Sequence, residues 1–345
     1  VNGESRSERV KALALETGFD IVGISVPEPS RELAFFPEWV ASGYAGNMEY
    51  LKQQVERRCD VHRHLPWARS IICVGLQYDT PHSYSIAAPM ARGWISRYAW
   101  GDDYHDVVME MLRSYAFRLR RETGPFEHRC YVDTGPLVER VWAAAAGLGA
   151  WGKNTCLIHP EHGSWFFLGE LITDLALPPD SPRADLCGRC QACLDACPTG
   201  ALRAPYVLDA KRCISYLTIE LKGTIPIELR AALGRHVFGC DICQDVCPWN
   251  RRRRHFGESA FAPRNGLFAP VLQDLAAVDD GGFRRLFSRS ALKRARRKGL
   301  LRNVAVALGN VGGDGAQAAA ERLAQDPVEL VREHARWALS RLSGR

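Results

Sequence analysis

Apolar positions recur at helical spacing from Arg6 to Thr17 and stop at Gly18, which predicts a capped helix; Ile21–Ile24 then reads as a strand. Ser70–Leu76 is a continuous apolar run rich in β-branched residues, the pattern of a buried strand. Spacing of three and four predicts a long helix over Tyr104–Arg121, ended by Gly124. Tyr131 and Val132 close a strand that delivers Asp133 into the turn Asp133-Thr134-Gly135-Pro136, and a helix over Leu137–Ala146 follows, closed by Gly147. Leu157-Ile158 and Trp165–Ile172 alternate as a hairpin around His162-Gly163 would, and Leu177–Pro182 has the composition of a linker. After Ala262-Pro263 the pattern is helical. A weak repeat sets Arg302 and Ala305 against Arg332 and Ala335, with Asp326-Pro327 between, which suggests HEAT-like helical pairs.

These elements predict a mixed α+β and α/β chain in three parts. Residues 1–180 form an α/β domain, 181–255 a cysteine-rich module, and 256–345 a helical tail. The length of 345 residues accommodates that many cores, and 46% hydrophobic with 24% charged residues is ordinary for a soluble protein. No stretch of 18 apolar residues occurs, and Val1–Val10 has neither a secretory h-region nor a twin-arginine leader, so a cytoplasmic protein is expected.

Eight of the twelve cysteines carry the chemistry. Cys187, Cys190, Cys193 and Cys197 read C-x2-C-x2-C-x3-C-P, the bacterial ferredoxin run, whose fourth cysteine serves a different cluster. Cys240, Cys243 and Cys247 repeat the motif before Pro248, and Cys213 stands 27 residues upstream of Cys240. Cys187, Cys190, Cys193 and Cys247 are therefore assigned to one [4Fe–4S] cluster, and Cys197, Cys213, Cys240 and Cys243 to the other. Zinc sites prefer two separated C-x2-C pairs, and disulfide frameworks suit short secreted chains. Cys59, Cys73, Cys130 and Cys156 lack metal spacing and read as buried small side chains.

The net charge of +6 is concentrated. Arg251, Arg252, Arg253 and Arg254 are consecutive, and Phe283–Arg302 holds nine Lys or Arg and no acid. Two such blocks favour a polyanionic partner over a merely solvated face. No G-x-G-x-x-G follows a strand, no phosphate-loop motif occurs, and the C-x3-C-x2-C spacing of radical SAM enzymes is absent.

In order along the chain come Glu56-Arg57-Arg58, Trp100-Gly101-Asp102-Asp103-Tyr104-His105, Val132-Asp133-Thr134-Gly135, Gly152-Lys153-Asn154, Gly163-Ser164, the Cys187 run, Arg212-Cys213-Ile214-Ser215 and Gly239–Pro248. With these residues the chain resembles the epoxyqueuosine reductases over nearly its whole length. The resemblance implies reduction of epoxyqueuosine to queuosine at the tRNA wobble base. It implies base-off cobalamin with no protein histidine on cobalt, reduced through two [4Fe–4S] clusters by an external low-potential donor. Asp60-Val61-His62-Arg63-His64-Leu65 agrees, because Leu65 replaces the glycine of the histidine-ligating D-x-H-x-x-G signature.

Asp133 matches the family's proton donor, a role that calls for a raised pKa; the competing role is capping the helix that follows. Arg58 and Ser96 match family cofactor positions. Lys153, Asn154 and Ser164 lie on loops expected near the corrin, and Ser215 and Asp241 sit beside cluster ligands. For the tRNA, the anticodon stem-loop being the part engaged, Arg294, Arg296, Arg297, Lys298 and Arg302 are the first candidates, followed by Arg251 and Arg252. A monomer without membrane attachment is expected. A reductive dehalogenase-like cobalamin enzyme and a non-catalytic electron carrier or tRNA-binding module are the alternatives.

Overall fold

The computed structural model describes residues 6–251, 258–264 and 266–344. The chain divides into two compact units, each assembled from separated segments. The first comprises 1–80, 104–191 and 248–259, and the second 81–103, 192–247 and 260–345. This differs from the consecutive three-part division, because the cysteine-rich segment is shared out between both units.

In the first unit a four-stranded sheet runs in the order Ile21–Ser25, Ser70–Gln77, Phe166–Thr173, His128–Tyr131. Every pairing is antiparallel. Ser70–Gln77 is buried at every position, as its unbroken apolar run requires of a strand covered on both faces. The Tyr104–Thr123 helix lies on one face: a side chain at Gly169 would strike Val108 and Leu112 at 2.9 and 3.0 Å. The next residue, Glu170, points to the opposite face, where the Glu139–Ala145 helix packs. Val141, Trp142 and Leu137 build the core there with Ile21, Ile71 and Ile172.

Two sequence expectations change here. Leu157–Ile158 pairs with Ala150–Trp151, and Phe166–Thr173 joins the main sheet, so the two segments do not form one hairpin. Only an isolated His159–Gly163 bridge closes the turn. The supposed linker is pinned down by Asp180, whose N–H donates to the Ile24 carbonyl at 2.8 Å while its carboxylate accepts from Ile24 N–H and Lys11 at 2.9 and 2.6 Å.

In the second unit Arg296–Val311 is the central helix, with residues 299–309 all buried. Helices Leu272–Ala276, Ala316–Leu323 and Glu329–Ser343 surround it. The repeated alanines Ala305 and Ala335 are both fully buried. Arg302 is a correction: it was a tRNA candidate, but it is 0% exposed, and its guanidinium donates to the carbonyls of Leu221, Gly223 and Leu217 at 2.6–2.7 Å. It closes the inserted segment between Cys213 and Cys240 onto the helix and leaves no donor fork for phosphate.

Close approach of the Arg296–Val311 and Glu329–Ser343 helices requires glycine at 309, where a Cβ would stand 2.8 Å from Ala338 Cα. At Gly299, in the same helix, the nearest atom to an added Cβ is Ala295 Cβ at 3.6 Å. Gly309→Val is expected to destabilise by about 2 kcal/mol and Gly299→Ala to stabilise by about 0.5–1 kcal/mol, measured by denaturant unfolding.

Candidate functional site

The turn after His128–Tyr131 is built by close contact. A side chain at Gly135 would stand 2.4 Å from the Tyr131 ring, so only glycine lets the chain fold back here. Asp133 adopts φ +57°, in the left-handed region that Asp tolerates better than most side chains. It does not cap the following helix: that helix begins at Glu139 with Val138 before it and no side-chain cap. The contact runs the other way, since Asp133 N–H donates to Glu139 Oε1. The Asp133 carboxylate is thereby left for other work. It meets His105 Nε2 at 3.3 Å, and 61% of its side chain is accessible. His105 stacks on Tyr104 (4.0 Å between ring centroids), which stacks on Phe167 at 4.3 Å.

Crowding of the Asp133 carboxyl acts to raise its pKa, but the hydrogen bond and charge of His105, the Tyr104 hydroxyl and Arg140 outweigh this and hold it below its ordinary value. The sequence expectation of a raised Asp133 is thus corrected. The raised carboxyls stand behind it. Burial, and then the charge of Asp133, push Glu139 up to about 8. Glu170, wholly buried, is pushed well above its ordinary value by burial and by Glu139. Composition and motif reasoning missed Glu139, Glu170 and His105 as site residues; the available signal was Glu170, a lone carboxyl in the apolar run 166–172.

Arg58 is buried against this turn. One guanidinium nitrogen donates to the Leu137 carbonyl at 2.8 Å, and Nε has no partner among the described residues. An unsatisfied buried donor of this kind suits a carboxamide or phosphate oxygen of a bound cofactor. His62 turns its Nε2 to the Ala68 carbonyl at 3.0 Å.

Lys153 is buried. Its Nζ donates to the carbonyls of Gly188 and Cys190 at 2.7 and 2.9 Å, and its N–H bonds the Cys187 sulfur. It staples the first cysteine loop. Asn154 accepts from Cys156 N–H at 3.2 Å, forming the turn beside it. Ser164 and Asn250 bond reciprocally: Ser164 N–H donates to Asn250 Oδ1 at 2.7 Å, and Asn250 Nδ2 donates to Ser164 Oγ at 2.9 Å.

In the second unit the helical turns Ala192–Asp195 and Ile242–Asp245 pack together and bring both cysteine motifs into one region. Cys240 lies within the electrostatic reach of Cys213 and Cys197. Burial acts to raise Cys197, but N–H groups of Leu202, Ala201 and Thr199 and the Thr199 hydroxyl bring it below its ordinary value. Such N–H···S bonds stabilise thiolates on iron. Ser215 bonds Cys213 by backbone and hydroxyl. Asp241 is fully enclosed, accepting from Ser96 Oγ, from Trp94 Nε1 at 3.0 Å and from Arg97 N–H at 2.9 Å. Ser96 and Asp241 therefore satisfy each other. None of the twelve cysteines is in a disulfide.

The basic run is partly consumed internally. Arg294 pairs with Glu220, Arg297 with Asp326 and Lys293 with Asp103. Arg296, Lys298 and Arg251 are exposed, whereas Arg252 lies outside the described residues.

Cysteine loops whose sulfurs receive backbone N–H groups, in a chain whose residues 186–250 match the 4Fe-4S double cluster binding domain, define an iron–sulfur oxidoreductase. Residues 58–134 match the domain described as epoxyqueuosine reductase QueG, DUF1730. The epoxyqueuosine reductase of Pseudomonas aeruginosa is 43% identical over 340 residues, 97% of this chain and 94% of the relative. A crystal structure of epoxyqueuosine reductase with an epoxyqueuosine-modified tRNA-Tyr stem loop aligns at TM-score 0.89 and 32% identity, covering 97% of this chain and 89% of that one. The Bacillus subtilis enzyme, with its aspartate catalytic loop swung out of the active site, aligns at 0.88 and 32% identity over 97% and 90%. The chain belongs to the epoxyqueuosine reductase family. Among the described residues no helix is long and apolar enough to cross a membrane.

Replacing Lys153 by Met removes two carbonyl contacts while keeping most of the side-chain volume. The variant is expected to purify with less iron per chain, in a fold with unchanged far-UV circular dichroism; metal analysis checks it.

Proposed function

We propose that the chain reduces epoxyqueuosine at the tRNA wobble position to queuosine, with Asp133 donating a proton to the departing epoxide oxygen. The observation that carries this is the carboxylate of Asp133, turned away from helix capping, accessible and bonded to His105. Loss of the epoxide oxygen as water consumes two electrons and two protons. Opening the ring creates alkoxide character, and a positioned acid lowers that barrier by about 10²–10⁴-fold.

Cobalamin, when bound, would supply the strongly reducing centre, and two [4Fe–4S] clusters on the cysteine loops would supply it with single electrons from an external low-potential donor. The eight motif cysteines are the cluster ligands, a reading supported by the N–H···S bonds at Cys187, Cys197, Cys213 and Cys240 and by Lys153. Arg58 is the residue best suited to hold the cofactor's polar periphery, supported by its unpartnered buried Nε. Ser164 and Asn154 stay candidates for the same periphery. Ser96, Asp241 and Ser215 shape the backbone around the cluster loops.

A HEAT-like arrangement of the C-terminal helices presents the exposed cations to the tRNA in the cytoplasm. Arg296 and Lys298 are the strongest phosphate contacts, with Arg251 and the outer face of Arg294 next. The flexible loop of the anticodon stem lets the modified base leave its stack to reach Asp133.

Anaerobic turnover of epoxyqueuosine-containing tRNA is the direct test. Wild type is expected to form queuosine and Asp133→Asn to lose at least about 10²-fold in rate with cofactors still bound. Equal conversion by both would remove Asp133 from the chemistry, and no conversion by wild type would overturn the function.

Replacing Arg296 and Lys298 together by Gln should weaken tRNA binding and flatten the plot of log affinity against log salt by about 1.5, roughly 0.7–0.9 per lost phosphate contact. An unchanged slope in filter binding would exclude these residues from the interface.

A further inference from the structure

The reaction needs two protons, yet His105, Tyr104 and Arg140 hold the Asp133 carboxyl ionised at neutral pH. A donor in that state must be charged by a neighbour. Besides these three groups it faces a carboxyl, Glu139, with a second, Glu170, behind that one. Glu170 lies on the middle of its strand, opposite Cys73 on one side and Tyr131 on the other. It is 0% exposed, and neither of its oxygens has a hydrogen-bond donor among the described residues. An ionised carboxylate without donors in such a place costs several kcal/mol, so the group keeps a proton. What faces it from the helix layer is Glu139, and any bond between the two carboxyls exists only while one of them is protonated. Glu139 in turn accepts the Asp133 backbone N–H, which holds its carboxyl close enough to Asp133 for the two charges to interact, with Glu170 bonded behind it.

We propose that the Glu139–Glu170 pair is the proton store that recharges Asp133 during turnover. This rests on Asp133 being the proton donor. In the transfer an O–H bond of the pair breaks, the proton passes over the Asp133 carboxyl, and an O–H bond forms at the opened epoxide oxygen, the strongest base present, leaving Asp133 ionised as it began. No electron moves in this step, and the pair later regains its proton from solvent. The remaining groups around the pair are consistent with the store. Arg140 and Arg58 favour the ionised form that follows release, whereas the buried Cys73 thiol stays neutral and contributes no charge.

Glu139→Gln tests this while keeping an acceptor for the Asp133 N–H. Turnover at pH 7 is expected to fall about 10–100-fold with tRNA affinity unchanged. The decline of the wild-type rate as pH rises through about 8, where Glu139 loses its proton, should be absent from the variant. A second readout needs neither cofactor nor tRNA. The infrared spectrum of the wild-type protein at pH 7 should contain a neutral carboxylic acid band that diminishes in Glu139→Gln and again in Glu170→Gln. The store is overturned if Glu139→Gln retains the wild-type rate and pH profile, or if no such band exists. Full activity of Asp133→Asn would instead overturn the donor assignment, and the infrared band would still report on the pair. Should Glu139→Gln fail to fold, the band in Glu170→Gln decides.

Discussion

A carboxyl group buried in the middle of an antiparallel sheet is the constraint around which the first unit is arranged. Glu170 occupies a position where every neighbour on its strand is apolar, and the opposite face is already filled by the Tyr104–Thr123 helix against Gly169. The only layer that can receive its side chain is the short helix beginning at Glu139. Desolvation disfavours charge on both groups, so the pair is stable only with a proton. That requirement sets the position of the helix start, and the Glu139 side chain then reaches back to hold the Asp133 backbone. A reactive turn, a helix and a strand are joined by one electrostatic arrangement.

The same economy governs the rest of the polar interior. Several arginine and lysine side chains that look like a ligand-seeking surface in one dimension are spent on internal carbonyls and carboxylates. Lys153 ties down the first cysteine loop, and Arg302 ties the inserted segment to the central helix of the second unit. Buried cations satisfied by two or three carbonyl groups give loops without regular structure a defined path. Loops that present thiolates to iron need that definition, because ligand geometry tolerates little displacement.

Much of this was legible along the chain. The strand at Ser70–Gln77 and the helix at Tyr104–Thr123 followed from apolar spacing, because one-sided or two-sided burial imposes a period. The cysteine motifs were readable because cluster ligation demands fixed spacing. Strand partners were less accessible: Leu157–Ile158 and Phe166–Thr173 alternate alike, and nothing local says that they join different sheets. Asp180 shows the same limit, since a segment with linker composition becomes fixed once its carboxylate meets a strand edge and Lys11.

Residue type and spacing alone therefore determined the kind of chemistry, thiolate-bound iron, since that depends on which atoms the chain carries and how far apart they lie along it. Tertiary structure decided protonation and availability. Asp133 is held ionised by His105, Glu139 and Glu170 are held neutral by burial and by each other, and Arg302 is withdrawn from solvent while Arg296 is left in it. Each of these depends on which groups from distant parts of the chain share a low-dielectric space, and that information exists only once the layers have packed.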